Sequence, residues 1–560
     1  MAFQISPGVN VSEVDLTTVV PAVSTTAGAF AGPFQWGPAN KITLVTTESD
    51  LANKFGKPDS NTATSFFSAA NFLAYGNNLQ LVRAANTLSY NSTSNTTSPL
   101  QIASEDVYDV NYIADSNTIA FVAKYPGELG NSLKVSVCPS SAAFSAWTYK
   151  SYFPAAPNTS SYVASVGGAF DQMHVVVVDE DGLFTGTKGS ILETYPFVSK
   201  ASDGVNDDGS SSYYRTVIRN QSEYIYALGP IDPATTSATW GTSAANKSFA
   251  VPATANTISL AGATTNGLTT GDTTTAYSYF TNPDVVDISL VVTGDASVTV
   301  QQYVIDNIVS ARKDCIAFVS PLQSYVVGNT APATGVTDWV SLLSRTTTYA
   351  VADSGWKYQY DKYNNLYRWL PLNADIAGLC VRTDQTNDPW FSPAGVNRGA
   401  IKNVVKLAWN PNQAQRDAIY SVGANPVVSM PGQGTVLYGD KTLITQPSAF
   451  SRINVRRLFI VLEKAISTAA KYSLFELNDE FTRAQFVAIV EPFLRDVKGR
   501  RGIYDYRVVC DTTNNTPAVI DANRFVGDIY IKPARSINYI QLNFVAVRTG
   551  VSFSEIVGAV

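Results

Sequence analysis

The chain has 560 residues, 45% of them hydrophobic and only 15% charged, with a net charge of −6. That apolar content suffices for packed cores, which excludes disorder of the whole, and the length suits three or four domains. The acidic balance argues against a general nucleic-acid binder, which carries a basic excess.

In chain order, Ser6 to Val14 comes first, an alternating stretch with Val9 and Val11 on one side and polar residues on the other. It reads as a strand with no local partner, and Pro21 closes this arm of residues 1–20. A lone strand is unstable in water, so it must add to a sheet elsewhere in the chain or in a neighbour. Ala27–Gly32 reads as a small-residue strand, followed by the turn-rich Gly32-Pro33 and Trp36-Gly37-Pro38. Helices are expected at Glu48–Phe55, stopped by Gly56, and at Ser65–Tyr75, stopped by Gly76, with a strand at Leu79–Arg83.

From about Thr87 to Ser310, strand-like runs such as Met173–Val178 and Ile288–Val292 alternate with Ser/Thr/Gly-rich loops. A helix at Gln301–Ser310 and a strand at Cys315–Val319 return to α/β character. The expected organisation is an arm (1–20), a discontinuous α/β domain (21–87 and 311–405), an inserted β-rich, outward-facing domain (88–310) and a C-terminal domain (406–560).

Two helices with apolar faces open the last part, one through Leu458, Leu462, Ala465 and Ala469, the other through Phe486, Val490, Phe493 and Val497. On the first, Arg457, Lys464 and Lys471 recur every seven residues away from the apolar face. In the second, Thr482–Gln485 has a capping-box pattern, Pro492 should kink the helix and Gly499 should end it. Tyr504–Asp511 and Ile537–Ala546 then alternate as strands, the latter placing Ile540, Leu542, Phe544 and Ala546 on one face.

Chemistry finds little support. Cys138, Cys315, Cys380 and Cys510 are widely spaced, without a metal or redox motif, and read as buried free thiols; no cofactor is expected. The single histidine, His174, lies in a valine-rich strand and reads as structural. The carboxylate clusters Asp179–Asp181 and Asp203–Asp208 keep a glycosidase reading open, but such clusters in Gly-flanked turns are usually solvated loops. The stretch from Trp356 to Trp369 interleaves aromatic and basic residues, which suits stacking of a single strand of nucleic acid or, in an acidic protein, packing at an interface. No apolar run is long enough to cross a membrane and no secretory signal opens the chain.

Several segments carry a resemblance. They are Ser6-Pro7-Gly8-Val9, Phe34–Pro38, Tyr125–Asn131, Tyr358–Asn364, Ala374–Gly378, Ser392–Gly395, Ile453–Phe459, Tyr472–Asn478, Tyr504–Pro517 and Pro533–Tyr539. In this order and composition the chain resembles the tail sheath proteins of bacteriophages with contractile tails; between 132 and 310 the resemblance fades. It implies a non-enzymatic, mixed α/β multidomain protein that polymerises as stacked hexameric rings around a tail tube, and contracts to drive the tube through the host envelope. It further implies a C-terminal domain whose mixed sheet and flanking helices are completed by strands exchanged between subunits. The expected exchange residues are Pro7, Gly8, Val9, Val11 and Val14 at one end and Ile540, Leu542 and Phe544 at the other. Expected partners are further copies of the chain, the tail tube, baseplate and tail terminator proteins, in the virion, after assembly in the host cytoplasm. For the tube contact, the basic cluster Arg495, Lys498, Arg500 and Arg501 is the first candidate, against a reading as a cationic helix end, and Arg457, Lys464 and Lys471 the second. The sheath of a phage-derived contractile injection particle and a β-rich virion adhesin are the alternatives.

Overall fold

The computed structural model describes residues 24–96, 99–112, 119–231, 239–538 and 541. At its centre is a seven-stranded sheet in the order 424–425, 350–353, 316–319, 290–292, 28–32, 79–83, 42–45. Every neighbouring pair is parallel except the Ile42–Val45 edge, which runs antiparallel to the Leu79 strand. Parallel strands are covered on both faces, which is why Ile316–Val319 and Ala350–Asp353 are buried throughout.

Helices Ala63–Leu73 and Asn373–Thr386 cover one face, where Phe66, Phe72, Leu379 and Val381 pack. The other face carries Thr270–Ser278, the helical run from Val298 to Arg312, and Pro332–Leu343, with Tyr277, Ile308 and Trp339 inside. Two glycines set the approach on the first face. A Cβ on Gly28 would lie 2.4 Å from the Phe72 ring, and one on Gly378 would lie 2.3 Å from that of Tyr75. The Glu48–Phe55 helix is capped by Thr47, which accepts from the Asp50 amide, and Gly56 leaves it at φ 79° as its sequence leads one to expect.

Two boundaries move. Leu290–Val292, expected inside the insertion, lies in the central sheet between Gly28–Phe30 and Ile316–Phe318. A short apolar run cannot by itself tell a sandwich strand from a parallel one. Helix Gln413–Ser421 and strand Ala424–Asn425, assigned with 406 onward to the C-terminal domain, also belong here: Ile419 and Ala424 share a core with Trp339.

The inserted part contains an antiparallel sheet ordered 190–199, 172–179, 133–138, 256–259, and a ribbon of 121–123 with 225–227. Arg83 and Trp36 tie it to the centre. The buried Arg83 guanidinium donates to the carbonyls of Phe34, Gly37 and Pro126, and burial pushes its pKa down to about 10. Trp36 packs edge-on against Tyr125 and Phe184.

Helices Ile453–Ala470 and Glu480–Gly499 and the ribbon Ile503–Val509/Asp528–Pro533 make the C-terminal unit, around Leu458, Leu462, Phe486, Val490 and Val497. The second helix starts earlier than its capping-box pattern suggests: Asp479 is the cap and accepts from the Thr482 amide. Pro492 lies within this helix, Gly499 is its last residue, and the left-handed position after it is Arg501, at φ 67°.

Candidate assembly surfaces

The residues weighed for chemistry make structural contacts. The buried His174 ring offers Nε2 to the Ala155 carbonyl, accepts at Nδ1 from the Phe197 amide and stacks on Phe153; burial lowers its pKa. Asp179 accepts from Ser132, Phe184 and Thr185 and so braces a turn. Asp203 does the same with Ser243 and Ala244. No group of three His, Cys, Asp or Glu suited to a metal occurs among the described residues, and the four cysteines are free and buried. The Trp356–Asp361 and Leu366–Pro371 strands form a hairpin on which Tyr358 stacks with Tyr367 and Lys406 lies over Tyr358.

The stripe Arg457, Lys464 and Lys471 does not face outward as its seven-residue spacing suggests. Arg457 is buried and bonds Asp384 at 2.6 Å; burial opposes its charge, but Asp384 outweighs this and its pKa ends above normal. Lys464 bonds Asp287 at 2.6 Å and the Ile288 carbonyl. Only Lys471 of the three is exposed, so the stripe is a seam between the C-terminal unit and the central sheet. Charge spacing could not show this, because the acidic partners come from distant sequence.

The other cluster is more open. Lys498 bonds Asp505 at 3.0 Å, while Arg500 bonds Asp388 and lies over Trp390. Arg495 and Arg501 are exposed and form no ion pair among the described residues.

The ribbon presents Tyr506, Val508, Ile529 and Ile531 to the helices behind it. Among the described residues neither of its outer edges pairs with another strand. Between the two helices, Tyr472, Leu474, Phe475 and Leu477 are exposed, as is Phe481 in the first turn of the second helix, and Phe475 sits at φ 70° with its side chain wholly in solvent. The expected exchange residues Pro7, Gly8, Val9, Val11, Val14, Ile540, Leu542 and Phe544 lie outside the described residues. The described body begins at Ser24, whose carbonyl accepts from Ser289.

One residue passed unnoticed in the sequence. Asp440, 1% exposed, accepts from Ser392 (3.0 Å), Arg452 (2.9 Å), Ser536 (2.7 Å) and Asn538 (3.1 Å). Its four partners come from three separate stretches, and the signal available was that all three fall in or beside the segments that carry the resemblance.

A doubly covered parallel sheet, an antiparallel sheet from the segment between Arg83 and Leu290, and a two-stranded C-terminal ribbon make up a mixed α/β architecture. The chain matches the phage tail sheath protein central domain over 266–443, the phage tail sheath C-terminal domain over 445–546, and the tail sheath protein Gp18 domain III N-terminal region over 25–84. It is 36% identical to the tail sheath protein of Vibrio phage KVP40, over 99% of this chain and 100% of that one. It is also 36% identical to the tail sheath protein of Enterobacteria phage T4, over 99% of each. The chain therefore belongs to the phage tail sheath proteins, a structural family and a component of the virion tail.

Solved structures share the fold at low identity. The contracted sheath complex of the PVC extracellular contractile injection system aligns over 97% of this chain and 98% of its own, with 13% identity and a TM-score of 0.52. A sheath tail protein from Listeria innocua aligns over 91% and 96%, with 10% identity and a TM-score of 0.52.

Proposed function

We propose that this chain polymerises as stacked hexameric rings around a tail tube, in a mesh held by exchanged strands, and that contraction of the mesh drives the tube through the host envelope. The observation that carries the reading is the C-terminal ribbon, two-stranded among the described residues and open on both sides. A two-stranded ribbon is marginal alone, and added strands supply backbone hydrogen bonds that survive rotation of one subunit against another. Residues 1–20 and the segment containing Ile540, Leu542 and Phe544 are the strands assigned to neighbours' sheets, and the protein needs no catalytic centre. The inserted part, which begins near 88 and ends before Leu290, faces outward and contributes little to the mesh. Higher identity to phage sheaths than to the injection-system sheath favours genome delivery over a phage-derived injection particle. Baseplate and terminator proteins cap the ends of the polymer.

Purified protein viewed by negative-stain electron microscopy should form striated tubes, and a chain lacking residues 1–20 should fold cooperatively and form none. Normal tubes from that truncation would remove the N-terminal strand from the mesh. For the tube contact, Arg495 and Arg501 replace the wider cluster as the pair to test, since Lys498 and Arg500 have partners within the chain. Exposed pairs contribute only about 0–1 kcal/mol each, which suits a surface that must slide. Arg495→Gln with Arg501→Gln should leave self-assembly intact and abolish sheath assembly on isolated tubes at low salt; unchanged co-assembly would exclude the pair.

A further inference from the structure

We propose that Asp440 is a positioning residue for the C-terminal arm, fixing where and in which direction the chain leaves the subunit body on its way to a second copy of this chain. The proposal rests on the strand-exchange reading above and deepens it.

The geometry is specific. After Pro533 the chain leaves the ribbon, and the Ala534 amide still bonds the Gly502 carbonyl. Two and four residues later, at Ser536 and Asn538, it passes Asp440, whose two carboxylate oxygens divide their acceptance between body and arm. Oδ2 accepts from Ser392 and Ser536, and Oδ1 from Arg452 and Asn538. On the body side the carboxylate is held from two directions. The Asp440 carbonyl accepts from the Ile453 amide at the start of the Ile453–Ala470 helix, and Arg452 also donates to the Tyr420 hydroxyl. Asn454 reaches across to the carbonyls of Trp390 and Ala534, so the same helix start grips the arm root a second time.

This arrangement does more than fill space. Ser536 is half-buried and Asn538 exposed, and the intervening Ile537 is 81% exposed, so the arm root is not anchored by apolar burial. Beyond the backbone contacts at Ala534, two side-chain bonds to one buried carboxylate hold it to the body. A charged acceptor makes such bonds shorter and stronger than neutral ones. Because the remaining two bonds of Asp440 go to body residues, the arm can be released without leaving that carboxylate bare. The clamp fixes the root at Ser536 and Asn538. In a polymer whose subunits are joined by their arms, the angle at the root sets the spacing to the next subunit.

The test uses the full-length chain in three forms. Ser536→Ala with Asn538→Ala removes the arm side of the clamp, Ser392→Ala removes one body-side bond, and a truncation after Asn538 removes the arm. The arm-side pair should keep the monomer's melting temperature, raise the critical concentration for tube formation by about tenfold, and give tubes of irregular helical rise and twist. Ser392→Ala should lower the melting temperature and leave the helical symmetry unchanged. The truncation should form no tubes. If the truncation fails but the arm-side pair gives wild-type yield and symmetry, the clamp is refuted and strand exchange stands. If the truncation forms normal tubes, the strand-exchange reading falls and the clamp with it. If the arm-side pair loses its fold, Asn538→Ala alone, at the exposed outer end, decides by the same two readouts.

Discussion

Arg457 and Asp384 form a pair about 4% exposed on each side, yet Arg457 Nη1 and Asp384 Oδ1 have no hydrogen-bond partner among the described residues. Such a pair joins the C-terminal helix to the Asn373–Thr386 helix at a cost in desolvation. Arg457→Ala should destabilise the folded subunit by about 3–5 kcal/mol, since it strands a buried carboxylate. Replacing both residues with Met and Leu should be far milder, a contrast that denaturant titration would read. Asp353 makes a second residue-scale case. It is buried beneath Ser320 and the Gly355 amide, and burial raises its pKa to about 8. The folded state therefore keeps its proton between the ordinary carboxylate range and about pH 8, whereas the unfolded chain does not. Stability from this group is full at low pH and is lost as pH rises through that window. Thermal melts of Asp353→Asn should show a smaller fall from pH 5 to pH 8 than wild type; an equal fall would mean Asp353 does not titrate there.

Elements differ in how legible they were. Glu48–Phe55 and Leu79–Arg83 were readable because cap, stop glycine and alternation are local signals. Leu290–Val292 and Ala424–Asn425 were assigned to the wrong units because sheet membership depends on partners far away in sequence. The candidate surfaces divide along the same line. The ribbon strand Ile503–Val509 was visible as an alternating run. The burial of Arg457 and the fourfold coordination of Asp440 were not, since each depends on residues brought from elsewhere. In the insertion, the loop Asn206–Ser211 is mostly exposed and bends through Gly209 at φ 82°. Limited proteolysis of assembled tubes should cut there before it cuts within 453–538. Earlier cleavage in the C-terminal helices would contradict the outward placement of the insertion.

Over the whole molecule, the three units are joined by polar fastenings: Arg83 to the insertion, Arg457 and Lys464 to the C-terminal unit, and Asp440 to the arm root. Buried polar contacts of this kind are unforgiving of misplacement, so they hold the units in one relative arrangement. Charge makes up only 15% of the residues, and these joints place some of it in buried or half-buried contacts inside the subunit. A sheath subunit that moves against its neighbours gains from that distribution, since its interior stays fixed while exposed contacts change.

The aromatic loop between the two C-terminal helices carries a consequence for the subunit before it has neighbours. Tyr472, Leu474, Phe475 and Leu477 stand in water, as does Phe481 at the start of the next helix, and among the described residues the ribbon's outer edges have no strand partner. Both features favour association of unlike geometry as readily as the correct one. The fate of a free subunit should then depend on which nucleus it meets first. On the strand-exchange reading, a pre-existing ring offers matched edges, so ordered growth should outrun clumping when such seeds are present. In their absence, concentrated stocks should show a lag and then turbidity, and added tube fragments should abolish the lag.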